Sequence, residues 1–177
     1  MAAQTYIVYN SAMATTAAPV AQPTGTAIRT MLLLKPNANS PVRIISWGCS
    51  FDGSAAATPG KVELVETGTV FPTMSTAFVN ADIQRVGDSA GPAQGDIANF
   101  PIDVTGTATA GFATAAVTEG TTTVTRMADL HLLPPTGPYV FQFPLGREFE
   151  CTKGGALRVR VTFGTTVNMI CWVRFEV

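Results

Sequence analysis

The sequence predicts an all-β fold, an antiparallel β-sandwich that is jelly-roll-like, and three observations predict it. Gly, Pro or Thr interrupts almost every window before two helical turns can close. Short runs rich in Val, Ile, Thr and Phe recur instead, bounded by Gly, Pro, Asn or Asp. The last two runs alternate between apolar and polar residues, the period of a half-buried antiparallel strand. Nine or ten such strands in 177 residues suit a single domain, 1–177, with long Pro/Gly/Thr-rich loops and at most one short helix.

Each element has its own signal. Residues 4–9 read as the first strand. Residues 10–26 are rich in Ser, Ala, Thr and Pro, with Pro19 and Pro23, and read as an extended loop or arm. Residues 27–34 read as a strand stopped by Pro36 and Pro41. Residues 42–51 form the next, closed by Asp52 and Gly53. Residues 61–66 follow, with Val62 and Leu64 opposed to Lys61 and Glu63. In 74–86, Phe78, Val79, Ile83 and Val86 recur at spacings of three to four, the one place where a short helix fits, with Gly87 to stop it. Residues 87–99 are turn material. Residues 100–104 and 111–117 read as weaker strands, 121–133 as a long one and 139–143 as a short one.

The C-terminal pair is the clearest. Leu157, Val159, Val161 and Phe163 share one face, with Arg158, Arg160 and Thr162 on the other. Gly164-Thr165-Thr166 turns the chain. Residues 167–177 return with Val167, Met169, Cys171, Val173, Phe175 and Val177 on one face; Asn168, Ile170, Trp172, Arg174 and Glu176 take the other.

Composition narrows the function. Eleven basic residues stand against 12 acidic ones with no basic run, which argues against nucleic acid. No apolar run approaches the ~18 residues of a membrane helix, and Met1 to Thr5 carry no secretory pattern. Only 13% of residues are charged, against about 25% in ordinary domains, which points to surface that another protein covers.

Catalytic inventory is thin. The one histidine, His131, would have to serve any Ser-His-Asp arrangement, and reads better as a half-exposed strand residue. Glu63 and Glu66 fall on opposite faces of one strand; Glu148 and Glu150 read as a solvated loop or strand end, so neither pair fits glycosidase chemistry. Cys49, Cys151 and Cys171 lack metal-ligand spacing and read as buried small hydrophobes of a chain folded in a reducing cytosol. No cofactor or metal is expected. Trp172 beside Ile170 makes the second face of the last strand apolar. A second layer of the same domain or a partner interface would cover it.

The segment Ser46-Trp47-Gly48-Cys49-Ser50-Phe51-Asp52-Gly53-Ser54-Ala55-Ala56-Ala57-Thr58-Pro59-Gly60-Lys61-Val62-Glu63-Leu64 resembles a family of tailed-bacteriophage and prophage virion proteins. That resemblance continues through Val65-Glu66-Thr67, Phe141 to Glu148, Leu157 to Val161 and Asn168 to Val173, spanning roughly residues 28–177. It implies a capsid decoration, or cement, protein on the virion surface. Such a protein is made in the host cytoplasm, binds the major capsid (coat) protein and lacks a catalytic motif. Physics gives its motifs local reasons. Gly53 can take φ > 0 and Asp52 can close an Asx-turn. Pro144 precedes a Gly146 that suits a type-II-like turn. Arg147 can pair with Asp52 or with a neighbouring chain's carboxylate.

The expectation is a non-enzymatic homo-oligomer, a trimer matching three-fold shell junctions, with Ile170, Trp172, Arg174, Arg147, Tyr6 and Tyr9 as candidate interface residues. The alternative is a carbohydrate-binding or host-adhesion module on the tail or capsid surface, using an exposed aromatic platform.

Overall fold

The computed structural model describes residues 4–13, 16–54, 56–86, 102, 110–121 and 123–177. Its strands are β1 (Thr5–Tyr9), β2 (Gln22–Pro23), β3 (Arg29–Leu34), β4 (Val42–Phe51), β5 (Gly60–Thr67), β6 (Thr76–Ala77) and β7 (Gln84–Arg85), then β8 (Gly111–Phe112), β9 (Val124–Leu133), β10 (Tyr139–Gln142), β11 (Phe149–Cys151), β12 (Ala156–Thr162) and β13 (Asn168–Glu176). All pairings are antiparallel, and the long ones nest: β1 with β13, β3 with β12, β4 with β10 and β11, β5 with β9. The chain is thus one antiparallel ribbon, with the β5–β9 pair at its tip, rolled until β4 meets β13 and β5 meets β12. That rolled ribbon is a jelly roll. The first sheet runs β10-β4-β13-β1-β7, with β11 also on β4 and β2 on β13; the second runs β6-β8-β3-β12-β5-β9. Between them lie Val8, Ile44, Trp47, Leu32, Leu64, Val159, Met169 and Phe175, all buried.

Three local readings are corrected. Strict alternation puts Trp47 and Cys49 with Arg43 and opposite Ile44. The pairing skips Ile45, between Arg174↔Ser46 and Phe175↔Ile44. This β-bulge reverses the parity, so Val42, Ile44, Trp47 and Cys49 all face the core. Second, β12 is buried on both faces, Arg158 included, because chain from 70 to 74 and from 113 to 119 covers the second sheet. Third, 74–86 forms no α-helix but β6, a 3₁₀ turn over Asn80–Asp82 and β7. Its backbone donors are taken elsewhere: Phe78 N–H by the Ala110 carbonyl and Val86 N–H by that of Thr5. The readings at Gly87, 87–99 and most of 100–104 lie outside the described residues; Ile102 bridges Pro36. The strand read over 111–117 shortens to β8, and β11 forms at Glu150, where a solvated loop or strand end was read.

The 10–26 segment is an excursion whose ends belong to the first sheet. Asn10 N–H donates to the Cys171 carbonyl, and the chain rejoins β13 at Gln22 and Pro23. In the gap, the Asn10 side chain substitutes for backbone. Its Nδ2 donates to the Met169 carbonyl at 3.0 Å and its Oδ1 accepts from Cys171 N–H at 2.8 Å. Ser11 Oγ accepts from Val20 N–H at 2.9 Å and draws the loop closed.

Candidate interaction face

The two sheets treat their outer faces differently. On the second sheet, Leu33 and Arg158 point away from the core yet are fully buried, Leu33 with Met74, Ala113 and Ala156. Arg158 Nη1 meets Glu119 Oε2 at 3.0 Å, and its Nη2 donates to the Val70 carbonyl. Burial, offset by Glu119 and reinforced by Arg160, brings the Arg158 pKa down to about 10, so it stays charged at neutral pH. On the first sheet, β1 and β13 alternate strictly between buried side chains and half-exposed or, at Asn168, exposed ones. None of the described strands packs over that outer face.

The face is laid out by register. One row crosses Val140, Gly48, Trp172 and Tyr9; the next crosses Gln142, Ser46, Arg174 and Ile7. Ser50 and Ile170 form the row on one side, and Arg43, Glu176 and Thr5 close the other. Trp172 lies over Gly48: a Cβ built there would sit 2.8 Å from its Cζ2 and 2.7 Å from the Tyr139 carbonyl oxygen. The ring needs a bare backbone beneath it, which explains a glycine in the middle of a strand. Val140 is 64% exposed. Arg174 is half-buried, and its Nε is shielded from water with no hydrogen-bond partner among the described residues.

The predicted interface residues divide. Ile170, Trp172, Arg174 and Tyr9 come together on this face. Tyr6 does not: it is 5% exposed and faces the core, stacked on Phe175 with ring centroids 5.9 Å apart. Arg147 stands exposed on the turn between β10 and β11, at the sheet edge. That turn is as expected, with Gly146 at φ +76° and Arg147 N–H on the Pro144 carbonyl at 2.9 Å. Arg147 cannot reach Asp52, because the turn between β10 and β11 lies beside Ile44 to Ser46 and Asp52 follows the far end of β4. Asp52 closes no Asx-turn either. Its carboxylate accepts from the backbone and side-chain N–H groups of Asn168, both at 2.9 Å, which hold its pKa below the usual range. Gly53 keeps negative φ; its reason is close approach, since a Cβ would meet Pro135 at 2.7 Å. Sequence reasoning missed Gly48, Ile7, Val140 and Gln142, and a mid-strand glycine was the available signal.

A second polar cluster sits where β9 meets β10. Asp129 Oδ2 accepts from Tyr139 Oη at 2.7 Å and from Trp47 Nε1 at 3.1 Å. Its Oδ1 meets His131 Nε2 and Leu130 N–H, both at 2.9 Å. Burial first, then the hydrogen bond and charge of Asp129, push the Tyr139 phenol well above its ordinary pKa, so it remains a donor. A carboxylate held by three donors, with the His131 ring against it, latches the two sheets at their open edge. Its neighbours orient it.

All three cysteines are buried as free thiols. Among the described residues no group of His, Cys, Asp and Glu is placed to hold a metal ion. No helix of the described residues is long and apolar enough to cross a membrane. In comparisons with known proteins, the chain matches no family model, no curated protein and no solved structure.

Proposed function

We propose that this chain is a structural protein of a phage virion. It acts as a decoration or cement component, binding the outside of the capsid as a homo-oligomer, a trimer at three-fold junctions of the coat. The observation that carries the reading is the asymmetry of the sandwich. The chain covers the outer face of its second sheet and leaves Trp172, Tyr9, Ile170 and Arg174 half-exposed on the first. Aromatic and Arg anchors are the side chains that dominate protein interfaces. The capsid setting comes from the resemblance of residues 46–64 and of the C-terminal strands. Bound copies would stabilise the assembled shell by mass action.

The test is co-sedimentation of purified protein with coat shells lacking it, with light scattering for the oligomer. Trp172→Ala should weaken shell binding by ~2 kcal/mol or more, about 30-fold, with little change in folding stability. Unchanged binding, or a monomer that shells leave monomeric, would overturn the reading.

One observation favours a second reading. Trp172 lies over Gly48 beside Tyr9, giving two neighbouring rings with Arg174 and Gln142 alongside, a platform on which a sugar ring could stack. A glycan array separates the two: glycan binding lost in Trp172→Ala with shell binding intact would favour adhesion.

A further inference from the structure

Cys49 and Cys171 are register partners on the adjacent antiparallel strands β4 and β13. Both face the core, at 3% and 0% exposure. The backbone of Cys171 points the other way: its N–H donates to Asn10 Oδ1 and its carbonyl accepts from Asn10 N–H. With both groups turned toward Asn10, Cys171 makes no ladder bond to β4, and the two cysteines form a non-hydrogen-bonded pair. Such pairs bring Cα atoms to about 4.5 Å with side chains on the same side of the sheet. A disulfide accepts Cα separations of roughly 4.4–6.8 Å. Cys151 is no competitor. It sits opposite Val42, at the far end of β4 from Cys49, and its neighbours are Glu66 and Arg126.

From this juxtaposition we infer that Cys49 and Cys171 are a latent covalent site, a cross-strand disulfide that forms between β4 and β13 when the folded chain meets a small disulfide oxidant. The chemistry balances with oxidised glutathione. The Cys49 thiolate, the less buried of the two, attacks one glutathione sulfur, forming a mixed disulfide and releasing one glutathione thiolate. The Cys171 thiolate then attacks the Cys49 sulfur, closing the protein disulfide and releasing the second. The two cysteine protons pass to the two released thiolates; two protein thiols are oxidised and one glutathione disulfide is reduced. Burial pushes the Cys49 thiol up to about 12 and Cys171 well above its ordinary value, so reaction in the folded protein is slow. Once closed, the bond would tie together the two central strands beneath Trp172. The inference is independent of what that face binds.

Trypsin places the three cysteines in separate peptides, 44–61, 148–153 and 161–174, so connectivity can be read directly. One sample of reduced, folded protein is incubated for days with oxidised glutathione. A second is refolded from denaturant in a glutathione redox buffer, where burial gives no initial protection. Both are quenched in acid, alkylated and mapped by mass spectrometry. The expected product is peptide 44–61 joined to 161–174, with Cys151 alkylated, in at least one arm, and its loss in Cys171→Ala. In an unstructured chain the shorter separation favours Cys151 with Cys171, so selection of Cys49 reports the fold. Separate alkylation of Cys49 and Cys171 in both arms, or a predominant link through Cys151, overturns the proposal.

Discussion

Asn10 is fully buried and repairs the ladder of the first sheet where the chain leaves it, through its bonds to Met169 and Cys171. Replacing it with Ala strands a carbonyl and an N–H beside the core, at about 1–3 kcal/mol for each buried group left unmade. Asn10→Ala should therefore lose roughly 2–6 kcal/mol in urea unfolding, and a loss under 1 kcal/mol would show that water or backbone movement replaces the amide. At Gly48 the obstacle is contact rather than polarity, since an added methyl meets the Tyr139 carbonyl oxygen and the Trp172 ring. Gly48→Ala should cost about 1–3 kcal/mol and shift Trp172 fluorescence, because the ring must lift. An unchanged spectrum and midpoint would mean that the ring does not rest there. The sequence marks Gly48 only as a glycine inside a strand and does not show the role of Asn10 at all. Asn10 stands at the head of a stretch that composition marks as loop, and its partners lie at 169 and 171. Trp172 was legible, because alternation in β13 places it outward whatever the rest of the fold does.

Element boundaries were legible wherever a strand alternates, and faces were legible only where no bulge intervenes. The bounds of β4 are those read from the sequence, but Ile45 is an extra residue and the two halves of the strand obey opposite parities. Nothing local marks such a bulge; the partner strand sets it. The 74–86 region failed for a related reason. Phe78 and Ile83 are both buried, so the apolar spacing is real, but it reports two separate insertions into the core. The excursion after β1 has predictable physics of its own. Asn10, Ser11, Gln22 and Thr24 are buried and Met13 N–H donates to Asp82 Oδ1 at 2.7 Å, whereas Ala12 and residues 16–20 are exposed, with Val20 N–H tied to Ser11 Oγ. Replacing 16–19 with two glycines, which spares the Met13–Asp82 bond, should leave folding stability within about 1 kcal/mol, because shortening a closed loop changes its entropy only slowly. A collapse of the midpoint would place the excised residues in the core. If the same variant binds coat shells normally, the loop is no part of the docking surface.

At the scale of the molecule, the nested ribbon explains why charge sits where it does. The ends of the described chain meet, Gln4 and Val177 exchanging backbone hydrogen bonds, so both are pinned at the base of the first sheet. Pairing β1 with β13 and β3 with β12 before the roll closes demands long-range contacts, which places folding on a millisecond-to-second scale. The second sheet carries its ion pairs on the face that the chain covers: Arg158 with Glu119, and Arg160 with Glu63 at 2.8 Å. Glu66 is 1% exposed, bound by Arg126 and by both the N–H and the hydroxyl of Thr152. Burial alone would raise its pKa, but these donors outweigh it and hold the carboxyl below its ordinary value. A carboxyl depressed in the folded state stabilises fully above its unfolded pKa, ~4.3 for Glu, and that stability is lost as pH falls through the folded value. Glu66→Gln mimics the protonated state. The variant should be less stable than the parent at pH 7, and the gap should close steadily below about pH 4, as the parent's own Glu66 takes up its proton. Urea midpoints at pH 7, 5, 4 and 3 measure it. A gap of constant size across that range would mean that Glu66 acts through shape and packing, and that its ion pair with Arg126 contributes nothing that protonation can remove.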